Sequence, residues 1–254
     1  MPETFDQTTF DRYAELYEEA AHWPYRKDLE LPALEACLGD ITRLKILDFG
    51  CGPGFYSRLL KTKGAADVTG YDISEGMLNY ARRREEKEQS GITYTSSLEA
   101  SHKAEFDIVL AIYVFPYAPD APTLFSMCQA MFDVLKPGGR LITQPIHPQF
   151  HPDAEYYRPY GFRLIEQQPR RDGSKVQLHI CHPPYDERID AYYWSQDTLN
   201  ETLTRSGFKD IAWRPLHIPS RITRKQEINF LLPYARQPHA ALIECKKGDS
   251  PPID

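Results

Sequence analysis

Apolar and polar positions between residues 45 and 146 follow a pattern that predicts strands alternating with helices. The predicted strands are 45–49, 67–73, 92–96, 106–112 and 140–146, and the predicted helices are 55–63, 75–88 and 121–136. Strands separated by helices indicate parallel pairing with right-handed crossovers, and such sheets bind ligands at the carboxyl ends of their strands. This part of the chain therefore predicts an α/β fold.

The segments on either side follow other patterns. Residues 5–38 have helical spacing of apolar positions, and we expect helices there that cover the ligand site. After a segment rich in proline, histidine and tyrosine, strand-like runs at 162–168, 175–181 and 187–194 predict an antiparallel insertion within about 147–194. A helix at 197–205 and strands at 209–217 and 239–246 complete the prediction.

Three glycines directly follow the first strand, and an acid ends the second. Gly50, Gly52 and Gly54 allow a sharp turn against which a ligand can contact bare backbone, and Asp72 can accept hydrogen bonds from both hydroxyls of a ribose. A dinucleotide loop would read G-x-G-x-x-G, but Phe55 occupies the place of its last glycine. The loop therefore predicts a nucleotide-like cofactor other than a dinucleotide.

The sequence Asp48-Phe49-Gly50-Cys51-Gly52-Pro53-Gly54 resembles motif I of the class I S-adenosylmethionine-dependent methyltransferases. The sequence Leu135-Lys136-Pro137-Gly138-Gly139 resembles the turn before their fifth strand. This resemblance covers about residues 5–145 and implies S-adenosylmethionine as cofactor. It also implies a single Rossmann-like domain over 1–254, with a mostly parallel seven-stranded sheet and an antiparallel edge formed by 209–217 and 239–246.

The resemblance implies roles for individual residues. The three glycines should lie under the methionine part, Asp72 at the ribose, and Ile73 with Leu98 at the adenine. Asp48 either braces the loop or receives the cofactor ammonium through water, and Arg26 either pairs with the cofactor carboxylate or is a surface residue. The predicted cofactor-binding set is Tyr17, Arg26, Asp48, Gly50, Cys51, Gly52, Gly54, Tyr56, Asp72, Ile73, Met77, Ser97, Leu98 and Ala111.

The acceptor should lie where the fourth and fifth strands end. The fourth ends in an aromatic segment, Tyr113 to Tyr117, without the Asn/Asp-Pro-Pro-Tyr/Phe motif of enzymes that methylate base amino groups. A similar sequence, His182-Pro183-Pro184-Tyr185, lies in the insertion, and we interpret it as coincidental. Aromatic walls suit a flat or cationic ligand. The predicted substrate-binding residues are Phe115, Tyr117, His151, Tyr192 and Tyr193.

Two residues are candidates for the catalytic group. His147 directly follows the fifth strand, and a histidine with a pKa of about 6.5 can take a proton at physiological pH. The alternative is that His147 only orders the loop from Pro145 to Pro148. Tyr113 is the ionisable residue after the fourth strand, but a tyrosine pKa of about 10 makes it a poor base.

Short segments, including Gly54-Phe55-Tyr56-Ser57 and Phe115-Pro116-Tyr117-Ala118, look like the toxoflavin-synthase-like methyltransferases. That resemblance implies methyl transfer to nitrogen or oxygen of a small heterocyclic or aromatic specialised metabolite. Two alternatives stay open: an intramolecular cyclisation of the cofactor that releases methylthioadenosine, and a non-catalytic cofactor-binding subunit.

Composition limits the partners. The net charge is −6, and the basic run Arg82-Arg83-Arg84 is followed directly by Glu85-Glu86, which argues against a nucleic-acid substrate. The five cysteines are scattered singly, which predicts neither disulfides nor a metal site. No apolar run approaches the roughly 20 residues that span a bilayer, and the first residues lack a secretory core. We expect a cytoplasmic, metal-free enzyme with a small-molecule substrate, no membrane contact, and a homodimer left open.

Overall fold

Two sheets organise the part of the chain that the structure describes, residues 13–248. The structure is a computed structural model. Its strands are β1 (Lys45–Phe49), β2 (Asp67–Tyr71), β3 (Ile92–Thr95), β4 (Phe106–Ile112), β5 (Leu135–Gln144), β6 (Phe162–Glu166), β7 (Lys175–Ile180), β8 (Glu187–Tyr192), β9 (Phe208–Arg214) and β10 (Leu242–Lys247). Its α-helices are α1 (Ala14–Ala20), α2 (Leu31–Leu38), α3 (Phe55–Thr62), α4 (Glu75–Glu88), α5 (Ala121–Val134), α6 (Gln196–Arg205) and α7 (Lys225–Arg236).

The larger sheet has the strand order β3-β2-β1-β4-β5-β10-β9. The first five strands in this order pair in parallel, and β10 runs antiparallel between β5 and β9. β1 and β4 lie in the middle and are buried along most of their length, which explains their continuous apolar sequences. The predicted Rossmann-like fold, with seven strands and antiparallel pairing at one edge, is confirmed.

Two of the predicted helices, α4 and α5, begin at their predicted first residues, and a polar side chain caps each of them. Ser74 accepts a hydrogen bond from the N–H of Met77 (3.2 Å) at the start of α4, and Asp120 accepts one from Thr123 (2.8 Å) at the start of α5. Several element boundaries differ from the prediction, most clearly at α5, which ends at Val134 with the next residue already extended. The segment Pro137-Gly138-Gly139, which we interpreted as part of the turn before the fifth strand, therefore lies inside β5.

Helix α7, Lys225–Arg236, was not predicted from the sequence. It contains Pro233, which removes one backbone donor and usually interrupts a helix. Leu231 and Tyr234 are nevertheless fully buried, so packing holds the helix in place. This helix supplies a residue of the site described below.

The smaller sheet, β6-β7-β8, is antiparallel and forms the predicted insertion. Its inner face shares one apolar cluster with α1, the π-helical turn Arg26–Glu30 and α7. We call this layer the cap, defined as α1, the π-helical turn, β6–β8 and α7. Among the buried members of the apolar cluster are Leu16, Trp23, Tyr25, Tyr157, Phe162, Ile189 and Tyr234. Residues 5–12 of the predicted N-terminal helices lie outside the described residues.

Candidate functional site

The glycine loop after β1 leaves bare backbone open to a ligand. Gly50, Gly52 and Gly54 have φ values of +74°, +51° and +84°. A Cβ on Gly50 would lie 2.6 Å from Cγ2 of Val114, so packing requires glycine there. A Cβ on Gly52 would meet only the sulfur of Met77, at 3.9 Å. The face above Gly52 can therefore receive a ligand, as the predicted methionine cradle requires.

Asp72 holds this loop to the end of β2. Its Oδ2 accepts from the N–H of Gly52 (2.8 Å), and its Oδ1 accepts from the N–H of Ser74 (2.9 Å). A carboxylate can accept about four hydrogen bonds, so these contacts are compatible with added bonds from two ribose hydroxyls. Asp72 thus fits the ribose role, and the two backbone N–H groups that donate to it also fix the shape of the loop.

Asp48 is a brace between β1 and α3. It is buried, and its Oδ2 accepts from the hydroxyl of Ser57 at 2.6 Å. Burial raises the pKa of Asp48 to about 7. Of the two interpretations left open by the sequence, the structure favours the loop brace, and the contact with the cofactor ammonium stays a prediction.

The remaining predicted cofactor residues surround the loop. Ile73 is 40% exposed beside Asp72, where a ligand could cover it, and Leu98 packs against the core together with Tyr71. Ser97 is exposed, and its carbonyl accepts from the hydroxyl of Thr95. Cys51, Met77 and Ala111 are buried, and the hydroxyl of Tyr56 is buried without a hydrogen-bond partner among the described residues. Their contacts with a cofactor stay predictions.

The cap is attached to the glycine loop through α1. Glu18 receives two hydrogen bonds from Nη2 of Arg58, at 2.5 and 2.6 Å, and Nη1 of Arg58 donates to the carbonyl of Pro53 (2.9 Å). The hydroxyls of Tyr17 and Tyr117 are 2.9 Å apart, which joins α1 to the segment after β4. The structure therefore shows the cap closed over the loop.

A cavity of about 20 Å³ lies within the cap, where residues of α1, the segment up to Arg26, β6 and β7 line it together with His239. That volume is about enough for one water molecule. The aromatic and charged residues of its wall are Tyr17, Trp23, Tyr25, Arg26, Phe162 and His239. A larger molecule can enter only if the cap moves.

Arg26 presents a hydrogen-bonding group to this cavity. The residue is 8% exposed, its guanidinium carbon lies 4.8 Å from the centre of the Tyr113 ring, and its Nε is 3.9 Å from Oε2 of Glu30. Within residues 13–248, this Nε has no hydrogen-bond partner. An unpaired buried donor costs about 1–3 kcal/mol, which an acceptor oxygen on a ligand would offset. Arg26 therefore fits the carboxylate role better than the surface alternative.

Behind Arg26 lies a set of hydrogen-bonded side chains that we call the buried polar cluster: Glu30, Tyr113, Gln144, Tyr234 and His239. Tyr113 donates to Oε2 of Glu30 (2.8 Å) and lies 3.3 Å from Nε2 of Gln144. Oε1 of Glu30 is in contact with the hydroxyl of Tyr234, which also contacts Nδ1 of His239. The cluster joins the π-helical turn, the ends of β4 and β5, and α7.

Sequence reasoning identified only Tyr113 of this cluster. A weak local signal existed for Glu30, an acid between Leu29 and Leu31. Tyr113 itself has φ +57°, an uncommon conformation for a side chain with a Cβ, and such strain is concentrated at functional sites. Burial raises the pKa of Tyr113 well above its ordinary value, so the expectation that it is a poor base agrees with the structure.

His147 is placed away from the cavity wall. Its Nδ1 accepts from the N–H of Gln149 (3.0 Å), its ring is 6.3 Å from that of Trp213, and its own N–H donates to the carbonyl of His239 (2.7 Å). Burial lowers the pKa of His147. These contacts match the alternative of a histidine that orders its loop, and the catalytic role of His147 stays a prediction.

Most predicted substrate-binding residues are also away from the cavity. Phe115 is 0% exposed, inside the apolar core beneath α5 and α6. His151 stacks on Tyr156, with ring centres 4.0 Å apart, and Tyr193 is buried. Tyr192 ends β8 opposite Lys175. Tyr117 is the exception, because it bonds to Tyr17 in the cavity wall.

Between residues 13 and 248, no group of three or more His, Cys, Asp or Glu side chains could hold a metal ion. In that same range, no helix combines the length and the apolar character needed to cross a membrane.

Comparison with known proteins places the chain in a family. The sequence family described as a methyltransferase domain matches residues 46–139. A Haemophilus influenzae protein without a described function is 33% identical over 250 residues, covering 85% of this chain and 96% of that protein. The ubiquinone biosynthesis O-methyltransferase of Coxiella burnetii is 34% identical over 193 residues, covering 73% of this chain and 74% of that enzyme.

A solved structure shares the fold. The Burkholderia thailandensis 1,6-didemethyltoxoflavin-N1-methyltransferase, with bound 1,6-didemethyltoxoflavin and S-adenosylhomocysteine, is similar with a TM-score of 0.57 and 16% identity. The match covers 96% of this chain and 87% of that enzyme. The predicted cofactor and methyltransferase activity agree with the family match and with the O-methyltransferase relative. The chain, with its glycine loop after β1 and Asp72 after β2, belongs to the class I S-adenosylmethionine-dependent methyltransferases.

Proposed function

We propose that this enzyme transfers a methyl group to a nitrogen or oxygen atom of a small, flat aromatic or heterocyclic metabolite. The observation that carries the proposal is the cavity wall, in which Tyr17, Trp23, Tyr25 and Phe162 surround the polar groups of Arg26 and His239. Aromatic walls with a few placed polar groups suit a planar ligand of fixed orientation.

The named relatives support both kinds of acceptor atom. One is an O-methyltransferase of ubiquinone biosynthesis, and a structural neighbour methylates a ring nitrogen of 1,6-didemethyltoxoflavin. We therefore retain nitrogen and oxygen as acceptors. The proposed substrates include specialised metabolites, as the sequence suggests, and intermediates of ubiquinone biosynthesis, as the names of the O-methyltransferase relatives suggest.

The residues of the chain hold the reactants and exclude water. The backbone above Gly52, the carboxylate of Asp72 and the guanidinium of Arg26 fit the methionine, ribose and carboxylate parts of the cofactor. When bound, S-adenosylmethionine supplies a methyl group whose bond to sulfur breaks with the electron pair staying on sulfur, while a lone pair of the acceptor forms the new bond. Alignment of two reactants in a closed site can supply much of the rate acceleration.

The closed cap favours one alternative reaction, the intramolecular cyclisation of the cofactor. With only about 20 Å³ in the closed cavity, a separate acceptor must enter before closure, whereas an intramolecular cyclisation of the cofactor needs no second molecule. The two reactions release different products, since methyl transfer leaves S-adenosylhomocysteine and the cyclisation leaves methylthioadenosine.

The test is a product assay on the purified protein. The protein is incubated with S-adenosylmethionine alone, and then with a panel of phenols and nitrogen heterocycles, and both thioether products are quantified by mass spectrometry. We expect S-adenosylhomocysteine only when an acceptor is present, and we expect less of it from the Asp72→Ala variant at a limiting concentration of S-adenosylmethionine. Methylthioadenosine formed from cofactor alone would overturn the proposal in favour of the cyclisation.

A further inference from the structure

We propose that His239 is the general base of this enzyme, and that Tyr234 and Glu30 orient it so that its Nε2 takes the proton of the acceptor. The inference rests on the proposed function, because a base is needed only when a separate acceptor arrives with a proton on its nitrogen or oxygen. It concerns three residues that sequence motifs do not reveal.

The first step of the argument is the charge of Glu30. Arg26 is buried and permanently charged, and Glu30 is the carboxylate next to it, at 3.9 Å. Burial raises the pKa of Glu30, while Arg26 and the hydroxyls that bond to it favour the charged form. An uncompensated buried guanidinium would be strongly destabilising, so Glu30 is ionised. An ionised carboxylate only accepts hydrogen bonds, so both Tyr113 and Tyr234 donate to it.

The second step fixes the tautomer of His239. The hydroxyl of Tyr234 has a single proton, and that proton is directed at Glu30. The same hydroxyl oxygen contacts Nδ1 of His239, so it must accept there, and Nδ1 must carry the proton. A neutral imidazole with a proton on Nδ1 has a lone pair on Nε2. The chain Glu30–Tyr234–His239 therefore prepares Nε2 as a proton acceptor.

The third step is location. His239 lies in the cavity wall and is 3% exposed. No hydrogen bond to its Nε2 occurs between residues 13 and 248. The ring is held between Tyr113, stacked at 5.5 Å, and Phe162, at 4.6 Å. A fixed imidazole that lines the proposed acceptor cavity and keeps one nitrogen bare is the arrangement that proton abstraction requires.

The fourth step is the protonation state at neutral pH. Burial, followed by the charges of Arg26 and His147, lowers the pKa of His239 well below its usual range, so the free enzyme holds it neutral. When the acceptor loses its proton to Nε2, the resulting imidazolium is stabilised by Glu30 through Tyr234. The proton passes to water when the cap opens. The titratable groups that surround His239 are Tyr25, Arg26, Glu30, Tyr113, His147, Tyr157 and Tyr234.

The first test needs no substrate and so separates this inference from the proposed function. The full chain, labelled with ¹⁵N-histidine, is examined by NMR between pH 6 and 9, and the His239 signals are assigned by their loss in His239→Asn. We expect a protonated Nδ1 and a bare Nε2 across this range. In Tyr234→Phe, which removes the acceptor for Nδ1–H, the proportion with a proton on Nε2 should rise. A wild-type His239 with its proton on Nε2 overturns the inference.

The second test uses turnover with an acceptor found by the product assay. His239→Asn keeps a polar atom near the Nδ1 position, and we expect it to lower kcat about 100-fold or more, with unchanged affinity for S-adenosylhomocysteine. His239→Gln is the second variant, in case the first does not fold. The exposed His217→Asn is the matched control and should keep wild-type kcat. Normal turnover in folded His239 variants, or a large loss in His147→Asn instead, refutes the role of His239.

The pH profile distinguishes orientation from a merely structural role of Tyr234. In Tyr234→Phe the imidazolium loses its link to Glu30, so the pKa of His239 should fall further. The acid limb of the kcat/KM profile should then move to lower pH, together with a lower maximal rate. A lower rate with an unmoved acid limb would mean that Tyr234 only packs.

Discussion

Gly50 is the position where one added methyl group tests both the loop geometry and the packing. Its φ of +74° lies in the left-handed region, which costs other residues about 1–2 kcal/mol. An added Cβ would also lie 2.6 Å from Cγ2 of Val114, and such overpacking costs about 1–3 kcal/mol. Gly50→Ala should therefore lower the free energy of unfolding by about 2–5 kcal/mol, the sum of these ranges.

Gly138 provides a matched control because only one of the two costs applies there. Its φ is +73°, and a Cβ there would have no neighbour within 4 Å. Gly138→Ala should therefore cost about 1–2 kcal/mol, from backbone strain alone. In the double variant Gly50→Ala/Val114→Ala the clash is relieved, so the loss should be smaller than the sum of the two single losses by about 1–3 kcal/mol.

The losses of stability and the coupling between the two substitutions are measured by urea denaturation followed by circular dichroism. Cofactor binding is measured by calorimetry with S-adenosylhomocysteine. Gly50→Ala should bind this ligand at least about tenfold more weakly, since relief of the clash displaces the loop, whereas Gly138→Ala should bind normally. Equal losses of stability in the two single variants, or no coupling between Gly50→Ala and Val114→Ala, would refute the packing argument.

Three further predictions concern the ligand, the cap and the pH dependence. Asp72→Asn should weaken S-adenosylhomocysteine binding by about 1.5–3 kcal/mol in calorimetry, the range for charged hydrogen bonds, and unchanged affinity would contradict the ribose role. Arg58→Gln removes the ion pair with Glu18 and should speed hydrogen exchange in α1 while leaving β1 protected; equal exchange would mean that this pair does not hold the cap. The pKa of Asp48 is raised to about 7, so its contribution to stability is present below the unfolded pKa of about 3.9 and is lost as pH rises towards 7. The free energy of unfolding of Asp48→Asn should therefore rise relative to that of wild type by about 1.4 kcal/mol per pH unit between pH 5 and 7, as measured by urea denaturation. A difference that does not depend on pH would count against the buried carboxyl.

The elements with a clear hydrophobic period could be predicted from the sequence. So could the loop formed by Gly50, Gly52 and Gly54 together with Asp72, which we call the donor loop. Strands β1 and β4 matched their predicted bounds, because buried central strands are continuous apolar runs. The glycines and Asp72 were identifiable because the contacts that define the loop join residues within about one βαβ unit. Local chemistry of this kind leaves a local pattern in the chain.

The acceptor side could not be predicted in the same way. Glu30, Tyr113 and His239 meet in the buried polar cluster although they come from distant parts of the chain, and no spacing records that meeting. Tyr234 lies in a helix that Pro233 concealed. Phe115 and Tyr113 are two residues apart, yet one enters the core and the other reaches Glu30, because a short 3₁₀ turn follows β4.

The separation of the apolar core into a cap cluster and two clusters around the large sheet bears on how such an enzyme changes during evolution. The residues of the donor loop lie outside the cap cluster, whereas most of the apolar residues of the cavity wall belong to it. Repacking of the cap can therefore reshape the acceptor cavity while the donor loop keeps its geometry. A lineage with this architecture can acquire new acceptors by substitutions within one layer, and directed libraries confined to β6–β8 and α7 should yield altered acceptor preference with retained cofactor affinity.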